Sequence, residues 1–218
     1  MTLTYPVPVA SFWDLVKPTS SKPWTLSGNT SSSQTDGGET LITARGARLW
    51  VPAIKLSQRP IRASLGIGAL IETLARGEGT FLAYDMAAPF PANDPTGSIL
   101  GAALPKVRTL PASLHEMDIK GLPSGYVLSG GDMIGVVTGT GRRALMRVVD
   151  NTVTANTSGI TPVFQIEPAR LSSIMADNAV TLIKPTGKFL IAPGSYDPGT
   201  MDSVNVSGAS FNMVQVIT

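Results

Sequence analysis

The chain has no cysteine, a single histidine and few charges, and each scarcity removes a class of function. Without cysteine there are no disulfides, thiolate metal centres or thiol nucleophiles, although the redox compartment stays open because absence fits either side of a membrane. Charged residues make up 15% of the 218, where about 25% is ordinary, so a solitary monomer would present an unusually uncharged surface. Partners are expected to cover part of it. The formal net charge is only +2, aromatics are 6%, and Arg142-Arg143 is the one adjacent basic pair. A polyanion groove needs several such groups with stacking rings between them, so no specific nucleic-acid contact is expected. The longest strongly apolar stretch, 65–74, contains Glu72 and falls far short of the roughly 20 residues that span a bilayer, so no membrane insertion is expected. Residues 1–17 carry Pro6 and Pro8 and no basic residue before Lys17, a pattern unlike a secretory signal.

What is present is turn chemistry and apolar bulk. Hydrophobic residues are 43%, enough for a core without staples. Together, 22 Gly, 17 Pro and many Ser and Thr between apolar runs favour short strands joined by turns, so the fold class expected is mainly β. The Ser/Thr/Gly-rich segment 19–39 reads as a long loop, with Trp24 and Leu26 anchoring it to its own domain or to a neighbouring surface. Residues 41–56 read as one or two strands, with Pro52 suggesting an edge or a bulge. Ile67, Leu70, Ile71 and Leu74 fall at helical spacing and predict a helix over 62–76, capped by Gly77. Gly66 and Gly68 each cost that helix about 1 kcal/mol of propensity. A buried strand over 80–84 follows, and then Pro89, Pro91 and Pro95 mark an extended connection.

Beyond that connection the signals are those of a small barrel. Strands are expected at 132–137, 144–149, near Val153, and at 163–166 and 179–183, with a turn over 138–141. The tail adds 188–192, 203–207 and 210–217. In the last of these Phe211, Met213, Gln215 and Ile217 share one face, while Asn212, Val214 and Val216 share the other. Apolar residues on both faces suit a central strand or one whose outer face meets another subunit. The domain organisation expected is a β-sandwich from 1–103 and 186–218 with its helix at 62–76, and an inserted β-barrel over 104–185.

Chemistry-bearing motifs fail on their context. Gly139-Thr-Gly141-Arg-Arg-Ala144 matches a dinucleotide-binding turn, but Val148-Val149 favour strand and the Asp150-Asn151 turn arrives too soon for a helix, so a hairpin turn is the better reading. No Gly-Lys-Ser or Gly-Lys-Thr phosphate loop occurs, since Gly187-Lys188 is followed by Phe189. His115 reads as part of a solvated loop, and no Gly-x-Ser-x-Gly elbow accompanies it. A pair of carboxylates for glycoside cleavage stays open, because their separation is set only in three dimensions. No catalytic residue, cofactor site or metal site is named.

The order of motifs resembles a group of tail proteins of long-tailed bacteriophages. It rests on Arg48-Leu-Trp50, on a helix ending in Leu74-Ala-Arg-Gly-Glu-Gly-Thr-Phe-Leu82 with Asp85 soon after, and on Gly130-Gly-Asp-Met-Ile-Gly135. Leu145-Met-Arg-Val-Val-Asp150 and Pro185-Thr-Gly-Lys-Phe-Leu190 complete it. The resemblance implies a tail-tube-like β-sandwich with one flanking α-helix, and a structural virion protein made in the bacterial cytoplasm. Its role would be a distal tail or tail-tip adaptor ring, not an enzyme, joining the tail tube to the hub or fibres. The partners implied are copies of itself in a hexameric ring, the tube, and hub or fibre proteins. Phe12, Trp13, Trp24 and Phe90, as aromatics on exposed loops, are the candidate interface residues. The alternatives are a carbohydrate- or receptor-binding tail component acting through 104–185, and a glycan hydrolase.

Overall fold

The computed structural model describes residues 4–21, 23–77 and 79–217. Strands hold 34% and helices 10% of the residues, so the fold is mainly β. One five-stranded sheet runs in the order Pro18–Ser21, Ala53–Leu56, Ser210–Gln215, Gly187–Ile191, Thr80–Ala83, with every neighbouring pair antiparallel. Side chains alternate across a strand, and the register sets Ile54 opposite Phe211, Met213 opposite Ile191, and Phe189 opposite Phe81. All six are buried, on one face. Pro52 therefore marks neither an edge nor a bulge. It sits just before the Ala53–Leu56 strand, which is paired on both sides, and its carbonyl accepts from Met213 N–H at 3.0 Å.

That inner face is covered by the short helix α1 (Trp13–Val16), by Trp24, and by Ile71 and Leu74 of helix α2 (Ile61–Leu74). The rings form one continuous cluster in which Phe12 meets Phe81 edge-on at 4.6 Å and Trp24 meets Phe189 edge-on at 5.2 Å. Trp50 closes it at 6.4 Å from Trp24. Edge-to-face pairs of this kind add about 0.5–1.5 kcal/mol beyond their buried area.

The two helical glycines differ in surroundings. A methyl group on Gly66 would meet open space, whereas one on Gly68 would lie 3.0 Å from the Tyr196 hydroxyl. Gly66→Ala should therefore raise stability by about 1 kcal/mol, the ordinary helix-propensity gain. Gly68→Ala should lose that gain to the displaced Tyr196. Thermal unfolding of the two variants side by side checks this, and equal shifts would contradict it.

The segment 19–39 is not all loop: it holds the end of the Pro18–Ser21 strand and the strand Thr30–Gln34, which pairs with a strand in the run from 41, where extended structure is expected. Thr30–Gln34 and Thr40–Ala44 pair in register from Thr30 opposite Ala44 to Gln34 opposite Thr40. The turn is made by Asp36-Gly37-Gly38, with Gly38 at φ +82° and Thr35 accepting on its Oγ1 from the Glu39 N–H. An Asp-Gly turn between two extended runs is a hairpin signal, and the polar composition of 30–34 hid its first strand.

The second sheet has seven strands, in the order Glu116–Met117, Phe164–Glu167, Arg143–Val148, Met133–Val137, Ala179–Thr181, Lys106–Val107, Ile119–Lys120. Its two outermost strands flank Asp118 in the chain, so the sheet curls into a nearly closed barrel. Asp118 is 1% exposed and fastens this corner, accepting from the Thr109 N–H at 2.7 Å and hydroxyl at 2.8 Å. The barrel has its own apolar core, built from residues between Leu100 and Leu182. Met133 and Leu145 instead face the core of the five-stranded sheet.

Candidate functional site

The structure places three of the four candidate interface rings inside the molecule. Phe12 and Trp13 are 0% exposed and Trp24 is 3% exposed. They are not exposed-loop aromatics, because the one-sided sheet beneath them exposes Phe81, Phe189 and Phe211, and these rings are what cover it. Phe90 is half-buried, with its ring 3.5 Å from where a side chain on Gly97 would begin. The interior of this chain accounts for Phe12, Trp13 and Trp24.

What the structure brings together instead is a polar seam between the five-stranded sheet and the barrel. The Trp50 indole N–H donates to the Leu145 carbonyl at 2.8 Å, and the Arg147 guanidinium lies 4.7 Å above the Trp50 ring while donating to the Trp24 carbonyl at 3.2 Å. Arg48 donates to Glu167 at 2.8 Å, and the second Glu167 oxygen is 3.1 Å from His115 Nδ1. His115 thus lies exposed in a turn, in keeping with its reading as a residue of a solvated loop, and is partnered there by Glu167. Sequence offered no signal for this cluster, since Arg48 and Glu167 are 119 positions apart. Burial pushes the Asp85 carboxyl above its ordinary range, against the opposing pull of the Ala87 N–H and the Arg147 charge.

The Gly139–Gly141 segment is a hairpin turn. It joins Met133–Val137 to Arg143–Val148, with Thr138 N–H donating to the Arg142 carbonyl at 2.9 Å and Gly141 at φ +80°. Among the described residues no group of three or more His, Asp or Glu side chains is placed to hold a metal ion, and no helix is long and apolar enough to cross a membrane.

Among the described residues, two outer surfaces carry apolar side chains that the chain covers only in part. The first is the arm of the Thr30–Ala44 hairpin, where Leu41 is 54% and Ile42 69% exposed, opposite Ser33 and Ser32. Its base is stitched down by Ser27 and Val51 N–H groups donating to the Leu49 and Thr25 carbonyls, and beyond it the two strands pair only with each other among the described residues. The second is the outer face of the five-stranded sheet, where Leu82, Leu190 and Val214 are half-buried beside exposed Asn212. No protein-family model matches this chain, and no curated protein matches it significantly.

Proposed function

We propose that the chain is a structural component of a bacteriophage tail: a distal tail or tail-tip adaptor that assembles with copies of itself and joins the tail tube to the hub or fibres. The observation that carries this reading is the hairpin arm. A two-stranded hairpin is marginal in water unless a further strand or an apolar surface covers it, and this one projects Leu41 and Ile42 on opposite faces from a base held by the aromatic core. Free strand edges and uncovered apolar side chains are where another chain adds. The low charge content and the half-apolar outer sheet face support the same reading, since the interior of an assembled interface is depleted in charge.

Mass photometry and electron microscopy of the purified protein, alone and beside its tail partners, test this. Rings or larger complexes are expected, and monomers that persist beside those partners would sink it. A double variant, Leu41→Asp with Ile42→Asp, should lose assembly while its melting point stays near that of the parent. Exposed positions of this kind shift stability by about 0.5 kcal/mol or less.

A further inference from the structure

The seam holds a partly open cavity of about 320 Å³, at the small end of the roughly 300–1,000 Å³ of ligand pockets. Its walls are apolar: Leu145, Met146, Pro168, Leu171 and Ile217. Into it come Gln215, Arg170 and Arg48, and among the described lining residues there is no carboxylate.

Gln215 is 3% exposed, and its Oε1 accepts the Trp50 backbone N–H at 3.3 Å. That bond fixes which end of the amide is oxygen. The Nε2 end has no acceptor among the described residues, and Gln215 lines the cavity. Arg170, 8% exposed, gives Nε to the Glu116 carbonyl and Nη2 to the Pro111 carbonyl, which leaves Nη1. Arg48 gives Nη1 to Glu167 and Nε to the Ser27 carbonyl, which leaves Nη2. Two guanidinium groups and one amide thus line a cavity with apolar walls, each keeping N–H capacity that no hydrogen bond among the described residues uses. A carboxylate accepts several N–H bonds at once, and its bonds to guanidinium are among the strongest available to a protein.

We propose that this cavity binds an apolar group ending in a carboxylate. Two sources carry that chemistry: a free aliphatic acid, or the C-terminal residue of a partner chain with an aliphatic side chain. The site stands independently of the tail reading, because it rests on the seam alone.

Calorimetric titration of the full chain with octanoate, octanol, a tripeptide ending in leucine with a free carboxylate, and the same tripeptide as its amide tests this. Each acid should bind at least tenfold more tightly than its uncharged counterpart. Gln215→Glu keeps the acceptor for Trp50 but replaces the free donor with a negative charge, and should weaken acid binding at least tenfold. Ala169→Phe fills the cavity from its rim and should abolish binding; the melting point of each variant shows that it has folded. Tighter binding of the peptide acid than of octanoate assigns the site to a partner's terminus, and the reverse assigns it to a free acid. Equal affinity for charged and uncharged probes, no heat from any of them, or undiminished binding in both folded variants would overturn the proposal.

Discussion

Replacing Trp50 by alanine should cost about 3–5 kcal/mol, the range for deleting a large buried aromatic, out of the roughly 5–15 kcal/mol that holds a domain folded. Trp50 is 0% exposed and works on both sides of the seam. Its ring packs beside Trp24 and beneath Arg147, and its indole N–H satisfies the Leu145 carbonyl inside the barrel wall. Trp50→Phe separates these contributions: most of the packing stays, while the Leu145 carbonyl loses its donor at about 1–3 kcal/mol. Because that bond ties the sheet to the barrel, the phenylalanine variant should also loosen their coupling. Urea unfolding followed by far-ultraviolet circular dichroism and by tryptophan fluorescence is the check. One shared transition is expected in the parent, and an earlier or divided one in the variant. An alanine variant that unfolds at the parent midpoint would contradict this account of the seam.

The mainly β class was legible because Gly, Pro and β-branched residues punctuate short apolar runs, and α2 because four residues fall on one helical face. The described helix, Ile61–Leu74, starts one residue earlier and ends two earlier than the spacing predicts. The first strand of the hairpin, Thr30–Gln34, reads as loop in the sequence because neither of its faces is buried, so no apolar alternation marks it. The aromatic rings were misplaced for the opposite reason. Phe12 and Trp24 lie outside any regular element and Trp13 opens the four-residue α1, yet the sheet they cover is assembled from strands at both ends of the chain. Gln215 was placed on the correct face, but its role depends on Trp50 and on a barrel loop distant in sequence. Long-range polar pairings of this kind have no local signature.

Asp94 should be the other residue whose loss is severe, and it should make stability depend on acid. Its carboxylate is 1% exposed at the start of the barrel unit, where Oδ1 accepts the Ile99 N–H at 3.1 Å and Oδ2 accepts the Leu100 N–H at 2.9 Å and the Tyr126 hydroxyl at 3.3 Å. Asp94→Ala strands three donors and should cost about 3–5 kcal/mol, since each unpaired buried group costs about 1–3 kcal/mol and the losses overlap. Burial works against ionisation here, but the Leu100 and Ile99 N–H groups and the Tyr126 hydroxyl outweigh it and hold the carboxyl below its ordinary range. The unfolded chain therefore takes up the proton more readily than the folded one. The stabilisation is complete above the ordinary carboxylate range and is lost as pH falls through the lowered folded value. Tyr126 has the opposite sign: burial, reinforced by the Asp94 charge, raises its hydroxyl, so its contribution is complete below about pH 10 and fades as pH rises beyond it. Melting temperatures of the parent and of Asp94→Asn between about pH 3 and pH 7 isolate the acid limb. The asparagine variant removes the titrating group, so its melting point should be lower near neutrality and fall less steeply with acid. Parallel curves for the two proteins would show that the acid sensitivity belongs to other carboxylates.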